Sequence, residues 1–276
     1  MRIAVFGNRR VGALFGGRLA CCMYRLFFFV LLWLSTSQAG AQKPNQVRVQ
    51  WLGHAAFQIT SPGGTVLLLD PFLSQNPNTP DSLNNPGHYR PAAILVTHSH
   101  ADHLGDALTI AKNTGVKIIS PRMTAVYGRQ TLADSLQLIF NVGGTVTVGD
   151  VRISAVPAMH SSDFGGRPIG FVLAFTNGET IYHTGDTWIF GDMALIQEFY
   201  RPTIILLNVG GGAFSQDAQT ARTAVRRYFH PRVVIPMHFG PTPYHLATEA
   251  EVRAVFAGDK RLRVLHPGES AWFGHE

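Results

Sequence analysis

The chain has 276 residues, 46% hydrophobic and 14% charged, with 28 Gly and only 2 Cys. This length fits one large domain or two small ones, and the composition excludes a disordered chain, a collagen-like chain and a coiled coil, while two cysteines exclude a disulfide scaffold or a four-cysteine zinc site. The formal charge of +6 comes from residues 1–41, which hold Arg2, Arg9, Arg10, Arg18 and Arg25 and no acid; the remaining 18 basic residues face 17 acidic ones, so no strong attraction to nucleic acid is expected.

The N-terminal segment reads as a secretion signal spanning 1–41. Arg25 precedes the apolar run Leu26–Leu34, polar residues follow, and Ala39-Gly40-Ala41 forms a small-residue cleavage site. The run is shorter than the roughly 20 residues that span a bilayer, so membrane contact is expected only before cleavage. Met23 offers a second start that gives a signal of ordinary length. Met1–Ala20 imitates a dinucleotide-binding opening, but Arg9 stands where backbone must approach a pyrophosphate. Residues 42–276 are expected to form one exported domain, periplasmic or secreted and free of cysteine.

Along that domain, residues 47–51 and 57–60 read as strands, followed by the turn Ser61-Pro62-Gly63-Gly64 and an apolar strand over 65–69. Residues 74–91 are rich in Asn and Pro and read as a long loop of the functional kind. A strand over 93–97, a helix over 104–113 and a strand over 116–120 come next. Strands at 145–148 and 151–156 precede a hairpin, 169–176 and 180–184 around Asn177-Gly178. A strand at 203–208, a helix at 217–229, a strand at 232–236, a helix opened by the capping pair Thr248 and Glu251, and short strands at 263–266 and 271–273 complete the reading. The order satisfies an α+β architecture of two mixed sheets packed face to face with helices outside.

The chemistry concentrates in Thr97-His98-Ser99-His100-Ala101-Asp102-His103, directly after an apolar strand. Four ligand-type side chains on so tight a turn do not easily face one tetrahedral ion. Their alternation points to two neighbouring ions, with His98 and His100 toward one and Asp102 and His103 toward the other. His160, Asp186 and His238 each follow a later apolar strand and are further candidate ligands.

This pattern, H-x-H-x-D-H followed by a distant His, Gly185-Asp186-Thr187 and a final His, resembles the metallo-β-lactamase superfamily over essentially all of 47–276. Trp51-Leu52-Gly53-His54-Ala55, Leu69-Asp70-Pro71-Phe72, the Gly-rich stretch 210–212 and Pro236-Met237-His238 look like its branch of metal-dependent hydrolases related to ascorbate-phosphate lactonases. The resemblance implies a four-layer αββα sandwich holding two divalent transition-metal ions, zinc first, with manganese or iron as alternatives. It implies His98, His100 and His160 at one metal, Asp102, His103 and His238 at the other, and Asp186 bridging. A metal-bridging hydroxide would attack a small ester, lactone or phosphodiester, with Asp102 orienting it and moving a proton.

The competing readings are a mononuclear iron oxygenase on the same fold and a non-enzymatic exported binding protein. His54 reads either as a substrate-orienting imidazole or as a turn histidine bonded to backbone. Asp70 reads as an acceptor that fixes the 98–103 loop. His183 is equally a packing residue, and Tyr244 and His245 are candidates for the substrate entrance. The expected partner is a small molecule, not nucleic acid.

Overall fold

The computed structural model describes residues 43, 45–123, 132–240 and 247–274, all within one compact unit, Ala41–Glu276. The expected signal segment, Tyr244, His245 and His275 lie outside the described residues. Among the described residues no helix is long and apolar enough to cross a membrane.

Two mixed sheets form the centre. The first holds β1 (Val47–Gly53), β2 (Ala56–Thr60), β3 (Val66–Leu69), β4 (Ala93–Leu95), β5 (Ile118–Ser120), β6 (Gln137–Ile139) and β13 (Ser270–Phe273), in the order β13-β1-β2-β3-β4-β5-β6. The second holds β7 (Thr145–Val148), β8 (Val151–Pro157), β9 (Ile169–Ala174), β10 (Thr180–His183), β11 (Ile204–Asn208) and β12 (Val233–Met237), in the order β12-β11-β10-β9-β8-β7. The helices are α1 (Ala101–Leu104), α2 (Ala107–Thr114), α3 (Met193–Tyr200), α4 (Ala218–Tyr228) and α5 (Glu249–Val255). This is the αββα sandwich of the metallo-β-lactamase fold.

Strand periodicity explains the layers. On β3, Leu67 and Leu69 enter the core shared by the two sheets, beside Phe57, Ile153, Phe171 and Ile181. Leu68 points the other way, into a second core with Ile94, Ile110 and Ala111 of α2. A strand covered on both faces is apolar at every position, which is why 66–69 shows no polar alternation. On α4, Ala218, Ala221, Ala224 and Val225 face the main core. Asn177-Gly178 turns β9 back onto β10 in antiparallel register, with Gly178 at φ 87°.

Three expectations need correction. The helix expected over 104–113 is broken into α1 and α2. Gly105 takes φ 40°, and Asp106 accepts hydrogen bonds from the Leu73 and Ser74 N–H groups and the Ser74 hydroxyl, at 2.7–3.0 Å. That carboxylate ties the start of the long loop to the segment that follows the 98–103 turn. No strand forms over 263–266; Leu262 makes only an isolated bridge to Val234. Edge strand β6 and helix α3 were not expected. On α3 the exposed Leu195 and Phe199 stand beside buried Met193 and Ile196, which blurs the helical apolar period.

Gly105 is a point where backbone geometry decides the site. A Cβ there would sit 2.5 Å from the Pro71 carbonyl oxygen and 2.6 Å from Phe72 Cα, both backbone atoms. Gly105→Ala is therefore expected to cost about 2–4 kcal/mol, from left-handed strain plus the clash. Urea denaturation should give a lower midpoint with an unchanged slope. A wild-type midpoint would contradict this account.

Candidate metal centre

Strand ends deliver the expected residues to one place. His98, His100, Asp102 and His103 follow β4, His160 follows β8, Asp186 follows β10 and His238 follows β12. His98, His100 and His160 form one group of donors lying within 4.8 Å of one another. His54, Asp102, His103 and His238 form a second, and His98, His103 and Asp186 a third that overlaps both. All seven expected ligands converge, and His54, on the β1–β2 turn, joins them.

Asp186 lies between the groups. Its Oδ2 is 2.9 Å from His238 Nε2 and 3.6 Å from His160 Nε2, and its Oδ1 is 3.4 Å from His103 Nε2. Asn208 Nδ2 donates to that Oδ1 at 2.7 Å and fixes the carboxylate plane. Asn208 is itself held by its N–H on Thr184 Oγ1 and by Gln216 Nε2 on its carbonyl. This role was missed in the sequence, where the only signal is a polar residue ending the apolar run Ile204–Leu207.

Buried acceptors set the tautomers. Asp70 is fully buried and accepts from the Thr97 N–H at 2.8 Å and the Thr97 hydroxyl at 2.7 Å. Its Oδ2 also lies 2.8 Å from His103 Nδ1, which therefore donates. Because the Thr97 hydroxyl donates to Asp70, His98 Nδ1 donates to Thr97 Oγ1 at 3.0 Å. Both imidazoles then turn Nε2 inward, as metal-binding histidines do. Asp70 thus fixes the 98–103 loop as expected.

The inward atoms fit cations. His103 Nε2 is buried without a hydrogen-bond partner. His98 Nε2 lies 2.9 Å from His100 Nδ1, which in turn lies 3.2 Å from His160 Nε2. Such facing nitrogens are reconciled by a ring proton or by a cation among them. Burial opposes ionisation of Asp102, yet His103, with hydrogen bonds from His238 and His54, holds its carboxyl well below the usual range. Burial opposes Asp186 too, and His238 and His103 likewise hold it down. Burial depresses His98 and His160, while at His103 and His238 the burial effect is outweighed, chiefly by Asp186, and the imidazoles are pushed up. Carboxylates held ionised beside clustered imidazoles, with no Lys or Arg pairing to them among the described residues, form a donor set suited to divalent transition metals.

His54 bonds through both its backbone and its ring. Its carbonyl accepts from Trp51 Nε1 at 2.9 Å and from the His238 N–H at 3.0 Å. Its Nε2 lies 2.8 Å from Asp102 Oδ2, and burial, with His238 adding, pushes the imidazole down to about 4. It is therefore neutral near pH 7 and donates to the ionised Asp102. The backbone is left-handed at His54 (φ 56°), Asp70 (φ 41°) and His238 (φ 65°), so among the described residues three of five such non-glycine residues lie in this centre. Such strain clusters at functional sites.

A cleft of about 400 Å³ opens above the donors; Phe72, Gln75, Ala101, Asp163 and Phe214 supply the rest of its lining. His183 instead bonds backbone, with Nε2 3.0 Å from the Ala55 carbonyl, so it is a packing residue.

The comparisons agree with this geometry. Residues 48–238 match the family model described as a beta-lactamase superfamily domain. The chain is 42% identical over 243 residues to a UPF0173 metal-dependent hydrolase of Anaeromyxobacter dehalogenans, covering 83% of this chain and 87% of that protein. It is 42% identical over 228 residues to one of Thermococcus kodakarensis, covering 81% and 98%. Among solved structures, the metallo hydrolase Igni18 of Ignicoccus hospitalis superposes with a TM-score of 0.71 at 30% identity, over 84% of this chain and all of that one. The fold, the donor set and these relatives together place the chain in the metallo-β-lactamase superfamily, and within it the chain belongs to the UPF0173 metal-dependent hydrolase family.

Proposed function

We propose that the chain is an exported dinuclear hydrolase of a small ester, lactone or phosphodiester. The observation that carries this reading is Asp186, whose two oxygens lie between the two donor groups at the floor of a cleft. His98, His100 and His160 would hold one ion, Asp102, His103 and His238 the other, with Asp186 shared; zinc suits these nitrogen and oxygen donors. When bound, such a pair supplies an activated water and Lewis-acid polarisation of the substrate oxygen. The chain's own residues do the rest. Asp70 and Thr97 orient His103 and His98, Asn208 orients Asp186, and Asp102, at the cleft wall, holds and moves a proton. His54 donates to Asp102 and keeps its carboxylate aimed.

Export is supported by Arg25, the run Leu26–Leu34 and Ala39-Gly40-Ala41. Protein recovered from the periplasm or medium is expected to begin near Gln42 and to contain about two ions per chain. Loaded in turn with zinc, manganese and iron, it is expected to hydrolyse at least one class in a panel of lactones, carboxyl esters and phosphodiesters. A soluble cytoplasmic product that keeps residues 26–34 would refute export. Full metal load without turnover on any class would refute the hydrolase reading.

A further inference from the structure

Resting on that reading, we infer that the non-reacting part of the substrate is apolar and uncharged. It is an alkyl or aryl group on a carboxylic ester or lactone, received by Phe72 and Phe214. The first observation is the cleft itself. Beyond the metal-ligand candidates, its lining is Phe72, Gln75, Ala101, Asp163 and Phe214. No Lys or Arg lines it among the described residues. Among the described lining residues, a phosphate or carboxylate remote from the reacting bond would find no guanidinium or ammonium, the groups that recognise such anions. It would instead meet Asp163, which is 59% exposed with Oδ1 3.4 Å from His100 Nε2.

The second observation is the rim. Phe214, Trp188 and Met159 are 57%, 59% and 53% exposed, large apolar side chains left in water. All three sit on loops that build the centre. Met159 precedes His160, and Trp188 follows Asp186 by two positions. The Trp188 N–H donates to the Met159 carbonyl at 3.1 Å, and the Gln216 N–H to the Thr187 carbonyl at 3.4 Å, so the three loops are stitched together. Phe214 reaches from this rim into the cleft lining. Exposed apolar side chains on the loops beside a concave polar floor are how a small-molecule site presents itself.

The reaction is a simple hydrolysis without redox change. The water oxygen bonds to the acyl carbon and the bond from that carbon to the leaving oxygen breaks. The electron pair and a proton go to the leaving oxygen. The apolar group stays outside the reacting bond, so its contribution is to binding.

The test compares phenyl acetate, butyrate, hexanoate and octanoate with phenyl esters that carry a terminal carboxylate. In the metal-loaded chain kcat/KM is expected to rise about two- to fourfold per methylene. A terminal carboxylate is expected to lower it at least about tenfold. Phe214→Ser should flatten the series through KM, and Phe214→Arg should turn preference toward the carboxylate ester. A flat series, or preference for the anionic ester by the unmodified chain, overturns the inference. A readout without turnover separates the two claims: quenching of Trp188 fluorescence by an octyl methyl ketone, with Trp188→Phe as the blank. Saturable quenching with no turnover of any ester, lactone or phosphodiester supports the apolar site and refutes the hydrolase reading. Hydrolysis with no chain-length dependence and no quenching does the reverse.

Discussion

Asp186→Ala is expected to lower hydrolysis by roughly 10³-fold, the scale of losing several kcal/mol of charge stabilisation. The carboxylate stands 2.9 Å from His238 Nε2 and 3.6 Å from His160 Nε2, so its loss touches both donor groups at once. Bound metal should fall from about two ions per chain to one or fewer, because each candidate site loses an oxygen donor. His98→Ala and His238→Ala, by contrast, should each empty mainly one site. Asn208→Leu is the graded companion. It removes the 2.7 Å bond to Asp186 Oδ1 and leaves the donors in place. Loss of such an orienting group typically weakens metal binding by about 10- to 100-fold. Elemental analysis and metal titration, with far-UV circular dichroism to confirm folding, check all four. Asp186→Ala protein that keeps both ions and its full rate would remove Asp186 from the centre.

The sequence carried the framework of this site because its signals are local. His98, His100, Asp102 and His103 share one turn after an apolar strand, and each later candidate follows another such strand. A sandwich that aligns those strand ends brings them together whatever the loop details. The unbroken apolar run at 66–69 likewise encodes a strand covered on both faces, and the helical spacing of Ala218, Ala221 and Val225 encodes which face of α4 is buried. What escaped depends on contacts between distant segments. Asn208 reads as an ordinary strand-end amide until Asp186 is seen 2.7 Å away. The break at Gly105 follows from the approach of Pro71 and Phe72, about thirty residues earlier, to its Cα. Helix α3 escaped because Leu195 and Phe199 face water and spoil the period.

Backbone strain was equally illegible. Nothing in the residue types at 54, 70 and 238 announces positive φ, since His and Asp tolerate it only where the surroundings enforce it. Here hydrogen bonds enforce it. The His238 N–H donates to the His54 carbonyl, which locks the two strained residues together, and Asp70 is pinned by Thr97 and His103. These bonds fix the backbone that carries the imidazoles, and such pre-organisation reduces the reorganisation that metal binding would otherwise require.

Asp102→Ala is expected to lower kcat and kcat/KM together by roughly 10²-fold or more, the mark of a group acting in the transition state and not in substrate binding. Asp102 is the right residue for that work because it is the most exposed of the three carboxylates, 22% accessible at the cleft, whereas Asp186 at the cleft floor is 3% accessible and Asp70 is fully buried. It is also a candidate ligand, 3.6 Å from His238 Nε2 and 3.9 Å from His103 Nε2, so metal content must be measured in the same variant. Activity that returns with excess zinc would reduce it to a ligand. His54→Ala should cost less, about ten- to a hundredfold, the worth of one hydrogen bond to a charged group. Its Nε2 touches the centre through Asp102 Oδ2 at 2.8 Å, so its effect should pass through that carboxylate. The double variant is then expected to be no slower than Asp102→Ala alone, because residues that act as a unit are not additive. Additive losses would mean that His54 contacts the substrate directly. A fall in thermal stability with normal turnover would leave His54 only its backbone task, tying Trp51 Nε1 and the His238 N–H to the turn.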